Sequence, residues 1–101
     1  MQELKIERVN QPDLIFNGDL IGKGAGSDPR LKIYRTEGGE FIASLKYDTE
    51  RSTANHFHKP EDLVVWLRAR SGGISEEDQQ AIEEAAKNND LFRAFWTERI
   101  A

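Results

Sequence analysis

His56 and His58 are the only histidines of this chain, and they flank Phe57 in the run TANHFHKPEDLVVWL, Thr53 to Leu67. On a strand, residues two apart point to the same side, so imidazoles at this spacing can share one metal ion. A stable zinc site needs three or four protein ligands. The chain has no cysteine, so the others would be carboxylates such as Asp48, Glu50, Glu61 or Asp62, and nothing in their spacing fixes them. A strand end running into a helix that starts at Pro60 explains the same residues. We expect no metal and no cofactor here.

A second set could bind. In RLKIYRT and EFIASLKYD, residues Arg30, Lys32, Tyr34 and Lys46 fall on one face if both segments are strands. Basic side chains beside an aromatic on a sheet can hold single-stranded nucleic acid by phosphate contact and stacking. The same pattern is also the ordinary solvent face of an antiparallel sheet, with Tyr34 and Ile42 as a cross-strand pair. We take these four residues as the candidate binding residues.

Catalytic chemistry finds less support. The segment Gly22 to Ser27, GKGAGS, resembles a phosphate loop only in its glycines; such a loop must open a helix, and here Pro29 and a strand follow. No motif links Ser27, Ser44, Ser52, Ser71 or Ser75 to a histidine. The pairs Glu76-Glu77 and Glu83-Glu84 fit a solvated helix face better than a buried acid–base pair. We expect no catalytic residues and no enzyme.

The elements that would carry these residues follow from periodicity. Leu14 to Gly24 reads as a strand in which Gly18 suggests a bulge or bend, and Gly22 to Pro29 is turn chemistry. Leu31, Ile33 and Arg35 alternate with Lys32, Tyr34 and Thr36; Phe41, Ala43, Leu45 and Tyr47 alternate with Ile42, Ser44, Lys46 and Asp48. The two apolar sets share a face only across an odd loop, so we expect a three-residue turn, Glu37-Gly38-Gly39, pairing Leu31 with Leu45 and Ile33 with Ala43. The other face then shows Arg30, Lys32, Tyr34, Ile42, Ser44 and Lys46. After a polar turn, TERST, a short strand over Thr53 to Phe57 can add to the sheet. Pro60 opens a helix, with Glu61 and Asp62 in its first turn and Ser71-Gly72-Gly73 as its stop. Ser75 caps a second helix, Asn88-Asn89-Asp90 interrupts it, and Leu91, Phe92, Phe95, Trp96 and Ile100 give the last helix an apolar face. Trp66 and Trp96 are expected in one buried core.

The hairpin IYRTEGGEF, the polar turn after it and the helix start EDLVVWL resemble the EXLDI-type group of small bacterial and mobile-element proteins. The resemblance spans roughly Leu31 to Leu67. That group carries no established activity, so it implies no functional residue.

The chain of 101 residues forms one domain, strand-rich over 1–58 and helical over 60–101. We expect an α+β fold: an antiparallel sheet of three to four strands with the C-terminal helices packed on one face. The N-terminal MQELKIERVN has charges where a signal peptide needs an apolar core, no run approaches a membrane span, and a cytoplasmic protein is expected. Between Ile74 and Asp90 six acids stand against Lys87 alone, so that segment is −5 and the remainder +1 in a chain of net −4. Uniform nucleic-acid binding is thereby disfavoured, while a local basic face is not. The reading is a small non-catalytic module acting through a protein partner or as a homodimer. The alternative is weak nucleic-acid association through the basic face. Zinc added to the apo protein should leave the melting temperature unchanged. An upward shift lost in a His56→Ala, His58→Ala double variant would show a site, since a ligand at ~100 times its Kd adds about 2.7 kcal/mol.

Overall fold

The computed structural model describes residues 2–46 and 52–97. Their order is β1 (Gln2–Arg8), β2 (Gln11–Lys23), β3 (Leu31–Thr36), β4 (Phe41–Lys46), β5 (Ser52–Phe57), α1 (Pro60–Ser71), α2 (Glu76–Asn88) and α3 (Asp90–Phe95). The five strands form one antiparallel sheet in chain order, a strand more than the upper expectation. The additional strand is β1. Its sequence, QELKIER, offers only Leu4 and Ile6 as apolar residues among charges, too few to signal a strand by periodicity alone.

The β3–β4 hairpin has the register that parity requires: Leu31 opposite Leu45, Ile33 opposite Ala43, Arg35 opposite Phe41. Glu37, Gly38 and Gly39 make the loop. The Gly39 N–H donates to the Thr36 carbonyl at 3.0 Å and the Thr36 N–H to the Glu40 carbonyl at 2.8 Å. Gly39 takes φ 85°, the left-handed position that a three-residue hairpin loop demands and a side chain disfavours. Tyr47, the 49–51 part of the expected TERST turn and Ile100 lie outside the described residues. The expected strand over Thr53 to Phe57 is β5, which starts one residue earlier at Ser52, a residue read as turn.

β2 is the longest strand at 13 residues and serves two partners in succession. Its first half pairs with β1 and its second with β3, and Gly18 is the crossing point, opposite both Gln2 and Thr36. The irregularity lies not at Gly18 but between Leu20 and Gly22. There the strand turns its buried residues from one side to the other, as an extra residue in one strand does. Before it, Leu14 and Phe16 pack in a small cluster with Ile6, Tyr34, Ile42 and Ala54. After it, Ile21 joins the main core. Gly22 and Lys23, which fell within both the strand reading and the turn reading, are the end of the strand.

The main core combines Leu31, Ile33, Phe41, Ala43 and Leu45 with Leu63, Val64 and Leu67 of α1, Ala81, Ile82 and Ala85 of α2, and Phe92 of α3. Helix boundaries follow local chemistry. Pro60 starts α1, and Gly72, at φ 68°, ends it with its N–H on the Arg68 carbonyl. The Ser75 hydroxyl accepts the Asp78 N–H at 3.2 Å to cap α2. The Asn89 side chain accepts from Leu91 and Phe92 to cap α3. The ring of Phe92 meets Phe41 edge to face at 5.0 Å. Trp66 and Trp96, expected in the buried core, instead pack against its border and are only partly buried. Trp66 leans on Phe57 at 5.5 Å and carries Arg70 at 5.6 Å from its ring. Large indole rings with a polar N–H are seldom fully enclosed, and here the smaller Phe92 fills the centre.

The sheet curls, so that β1 comes round to β5. The Val9 N–H donates to the Ser52 carbonyl at 3.1 Å, the Ser52 hydroxyl to the Glu7 carbonyl at 2.9 Å, and the Arg8 guanidinium to the Ala54 carbonyl at 3.3 Å. This curl corrects the expectation that Tyr34 and Ile42 lie on an open solvent face. Ile42 is 2% exposed, and Tyr34 packs under Phe16, ring centroids 5.4 Å apart.

The tightest joint between the layers is testable. A Cβ at Gly22 would stand 2.2 Å from the Ala81 carbonyl oxygen and 2.8 Å from the Ala85 nitrogen. Gly22→Ala must push α2 off β2 and should cost about 1–3 kcal/mol in urea melts. Gly38→Ala meets only the Thr36 hydroxyl, at 3.9 Å, and should melt with the parent.

Candidate functional site

Alternation on β3 and β4 decides which side chains leave the helix-covered side. With Leu31 and Ile33 buried against the helices, Lys32 and Tyr34 project the other way. Opposite them, Ser44 pairs with Lys32, and Lys46 pairs with Ser52 of β5. The curl places β1 beside this surface and closes it into a cleft of about 320 Å³. Lys5, Ile6 and Glu7 of β1 form one wall. Asp28, Pro29 and Arg30, leading into β3, form another, and Lys32, Tyr34, Ser44, Lys46 and Ser52 complete it. All four sequence-selected binding residues, Arg30, Lys32, Tyr34 and Lys46, therefore line a single cleft. Lys5, Ser52 and Asp28 join it without having been singled out: the first belongs to the unrecognised strand, and the others sat in segments read as turns.

The cleft holds four cations, Lys5, Arg30, Lys32 and Lys46, against two carboxylates, Glu7 and Asp28. This local excess of positive charge is opposite in sign to the chain's net −4. Lys46 Nζ lies 2.7 Å from Asp28 Oδ2, with Asp28 71% exposed. The hydrogen bond from Lys46 and its charge, with a smaller contribution from Lys32, hold the Asp28 carboxyl below its ordinary value. Lys5 reaches Asp13 at 3.5 Å on the outer rim. Lys32 makes no ion pair among the described residues. Burial pushes the Tyr34 phenol up, so it stays neutral at physiological pH and offers both a donor and an acceptor.

Arg30 has a structural task as well. Its Nη2 lies 2.7 Å from Asp78 Oδ2, and the Asp78 side chain is fully buried. Asp78 is thus a correction to the solvated acidic face expected of α2: Glu76, Glu77 and Glu83 are exposed, while Asp78 is enclosed. A carboxylate is held inside because Arg30, on the segment leading into β3, supplies its counter-charge, a pairing 48 positions apart in sequence that no local pattern announces.

The histidines lie elsewhere. His56 borders a second cleft of about 340 Å³ with Leu14, Phe16, Ile42, Glu37 and Glu40. His58 stands beyond the end of β5, its Nδ1 2.8 Å from Glu40 Oε1. The two rings are 6.4 Å apart, edge to face. Among the described residues no group of three or more His, Cys, Asp or Glu side chains is placed to hold a metal ion.

Arg30→Met leaves Asp78 buried without its cation and should destabilise by roughly 1–3 kcal/mol, since a buried charge without a partner keeps its desolvation cost. Adding Asp78→Leu to Arg30→Met should recover part of that loss. A double-mutant cycle from urea melts measures both; purely additive losses would show that the pair does not act as a unit.

Comparison with models of protein families, with curated proteins and with solved structures yields no match to this chain.

Proposed function

We propose that this protein is a small non-catalytic binding module that acts through protein contacts, taking an acidic segment of a partner protein into the cleft between β1 and the β3–β4 surface. The observation that carries this reading is the convergence of Lys5, Arg30, Lys32 and Lys46 on one cleft of a chain that is acidic overall. A local field of opposite sign selects an anionic ligand and speeds its approach. The hydroxyls of Ser44 and Tyr34 add neutral donors suited to carboxylate oxygens. A cytoplasmic setting and kinship with the EXLDI-type group belong to the same proposal.

The alternative, nucleic acid on the same basic surface, shares the electrostatics but not the stacking. A base needs an open aromatic face, and the ring of Tyr34 is half-buried and already engaged edge to face by Phe16. The acidic-peptide reading asks nothing of that ring beyond its hydroxyl.

Hexaglutamate titrated into the ¹⁵N-labelled protein at low salt should shift the amides of Lys32, Ser44 and Lys46 in a saturable way. Binding should weaken as salt is raised and be lost on Lys32→Glu, Lys46→Glu charge reversal. A dT12 oligonucleotide run in parallel separates the alternatives. Tighter binding of dT12 than of hexaglutamate, with its salt slope reduced by the same reversal, would favour nucleic acid.

A further inference from the structure

The cleft already contains a carboxylate. Asp28 lies on the segment joining β2 to β3, and its Oδ2 sits 2.7 Å from the Lys46 ammonium. We infer that Asp28 is a stand-in for the ligand: an acidic side chain of a partner protein displaces it from Lys46 and binds between Lys46 and Lys32. The inference rests on the proposed function of the cleft and adds how its ligand is held and admitted.

Three observations carry it. The first is register. Lys32 is opposite Ser44, and Lys46 is two residues further on the same side of β4. Diagonal neighbours of this kind lie about 7–8 Å apart at the backbone, within reach of long side chains. One carboxylate can therefore bridge both ammonium groups. The second is asymmetry. Lys46 is engaged by Asp28, whereas Lys32 makes no ion pair among the described residues. Half of the two-lysine receptor is occupied and half is not. The third is the weakness of the tie. Asp28 is 71% exposed, and exposed ion pairs contribute little and are screened by salt. Gly26, two residues before Asp28, has φ 95° with open space where a Cβ would stand, and residues 25–28 are exposed between the buried Gly24 and Pro29. That Lys32 as well as Lys46 lowers the Asp28 carboxyl accords with a carboxylate standing within the field of both.

The occupant is an acidic side chain because Lys32 and Lys46 stand on neighbouring strands two positions apart in register, a spacing that one carboxylate spans. An intramolecular carboxylate in this position competes with every incoming acid. It therefore sets a threshold that a single free carboxylate does not pass and a run of neighbouring carboxylates does.

Asp28→Asn keeps the shape of the exposed side chain and removes its charge. Titrating hexaglutamate into parent and Asp28→Asn proteins at low salt should give about two- to fivefold tighter binding to the variant. Lys46→Met should remove most of the difference. In the parent, saturation with hexaglutamate should bring the Asp28 carboxyl, followed by its ¹³C shift, back up towards the ordinary carboxylate range, because its Lys46 partner is taken. Equal affinity in parent and Asp28→Asn, with Lys32→Met and Lys46→Met still abolishing binding, would overturn displacement while leaving the cleft reading in place. No hexaglutamate binding to parent or Asp28→Asn would overturn both. Tightening by Asp28→Asn that persists in Lys46→Met would also overturn the inference, since the gain would then come from net charge and not from the vacated lysine.

Discussion

The contact on which this structure turns is the approach of α2 to Gly22. No side chain separates the strand from the helix there; the helix backbone itself is the neighbour, with the Ala81 carbonyl and Ala85 nitrogen where a Cβ would fall. The Asn88 side chain fixes the far end of the same helix, donating to the Ile21 carbonyl at 2.9 Å. Beside this contact the register of β2 shifts between Leu20 and Gly22, and the residues that β2 buries change from one side of the sheet to the other. β1 pairs with the first half of β2 and forms a wall of the cleft. The cleft and the closest helix–strand packing thus lie on opposite sides of one sheet.

Much of this was legible from local chemistry. Parity across Glu37-Gly38-Gly39 yields the β3–β4 register, because an even loop would have put Lys46 and Ser44 under the helices. Pro60, Gly72, Ser75 and Asn89 mark the helix ends because each satisfies or relieves an end group by a known local geometry. The four candidate residues Arg30, Lys32, Tyr34 and Lys46 share a face for the same reason of parity. What was not legible is non-local. Ile6 and Leu4 are too few to declare β1, and its partners Ile42 and Ala54 sit more than thirty residues away. Asp78 reads as one more acid in an acidic helix until Arg30 arrives from the segment before β3. The tryptophans invited burial by size, yet the centre of the core took Phe92.

The two sides of the sheet divide the work. The helix-covered side is apolar and fully enclosed, with Leu31, Ile33, Phe41 and Ala43 all inaccessible to solvent. The β1 side keeps a small apolar cluster under Phe16 and leaves charged clefts on its flanks. Small domains have little stability to spare, and segregating the polar clefts from the main core lets the surface vary without thinning the layer that holds the chain together. Arg30 is the exception, since it lines the cleft and also neutralises Asp78 beneath α2. A change at that residue reaches both sides.

The hydrogen bonds that draw β1 round to β5 have a further effect. An open five-stranded sheet has two edges, each a row of unpaired amides and carbonyls that invites strands from other molecules. Here Val9 and Ser52 bond to each other, Ser52 reaches Glu7, and Arg8 caps the Ala54 carbonyl, so the two edges occupy one another where they meet. The remaining length of β1 carries Glu3, Lys5 and Glu7, and in the self-pairing centred on Lys5 like charges would oppose one another. A chain rich in strand and short in length thereby leaves less free edge for pairing between molecules, through residues at the end of β1, in the β1–β2 turn and in β5, of which Glu7 and Ser52 also line the cleft.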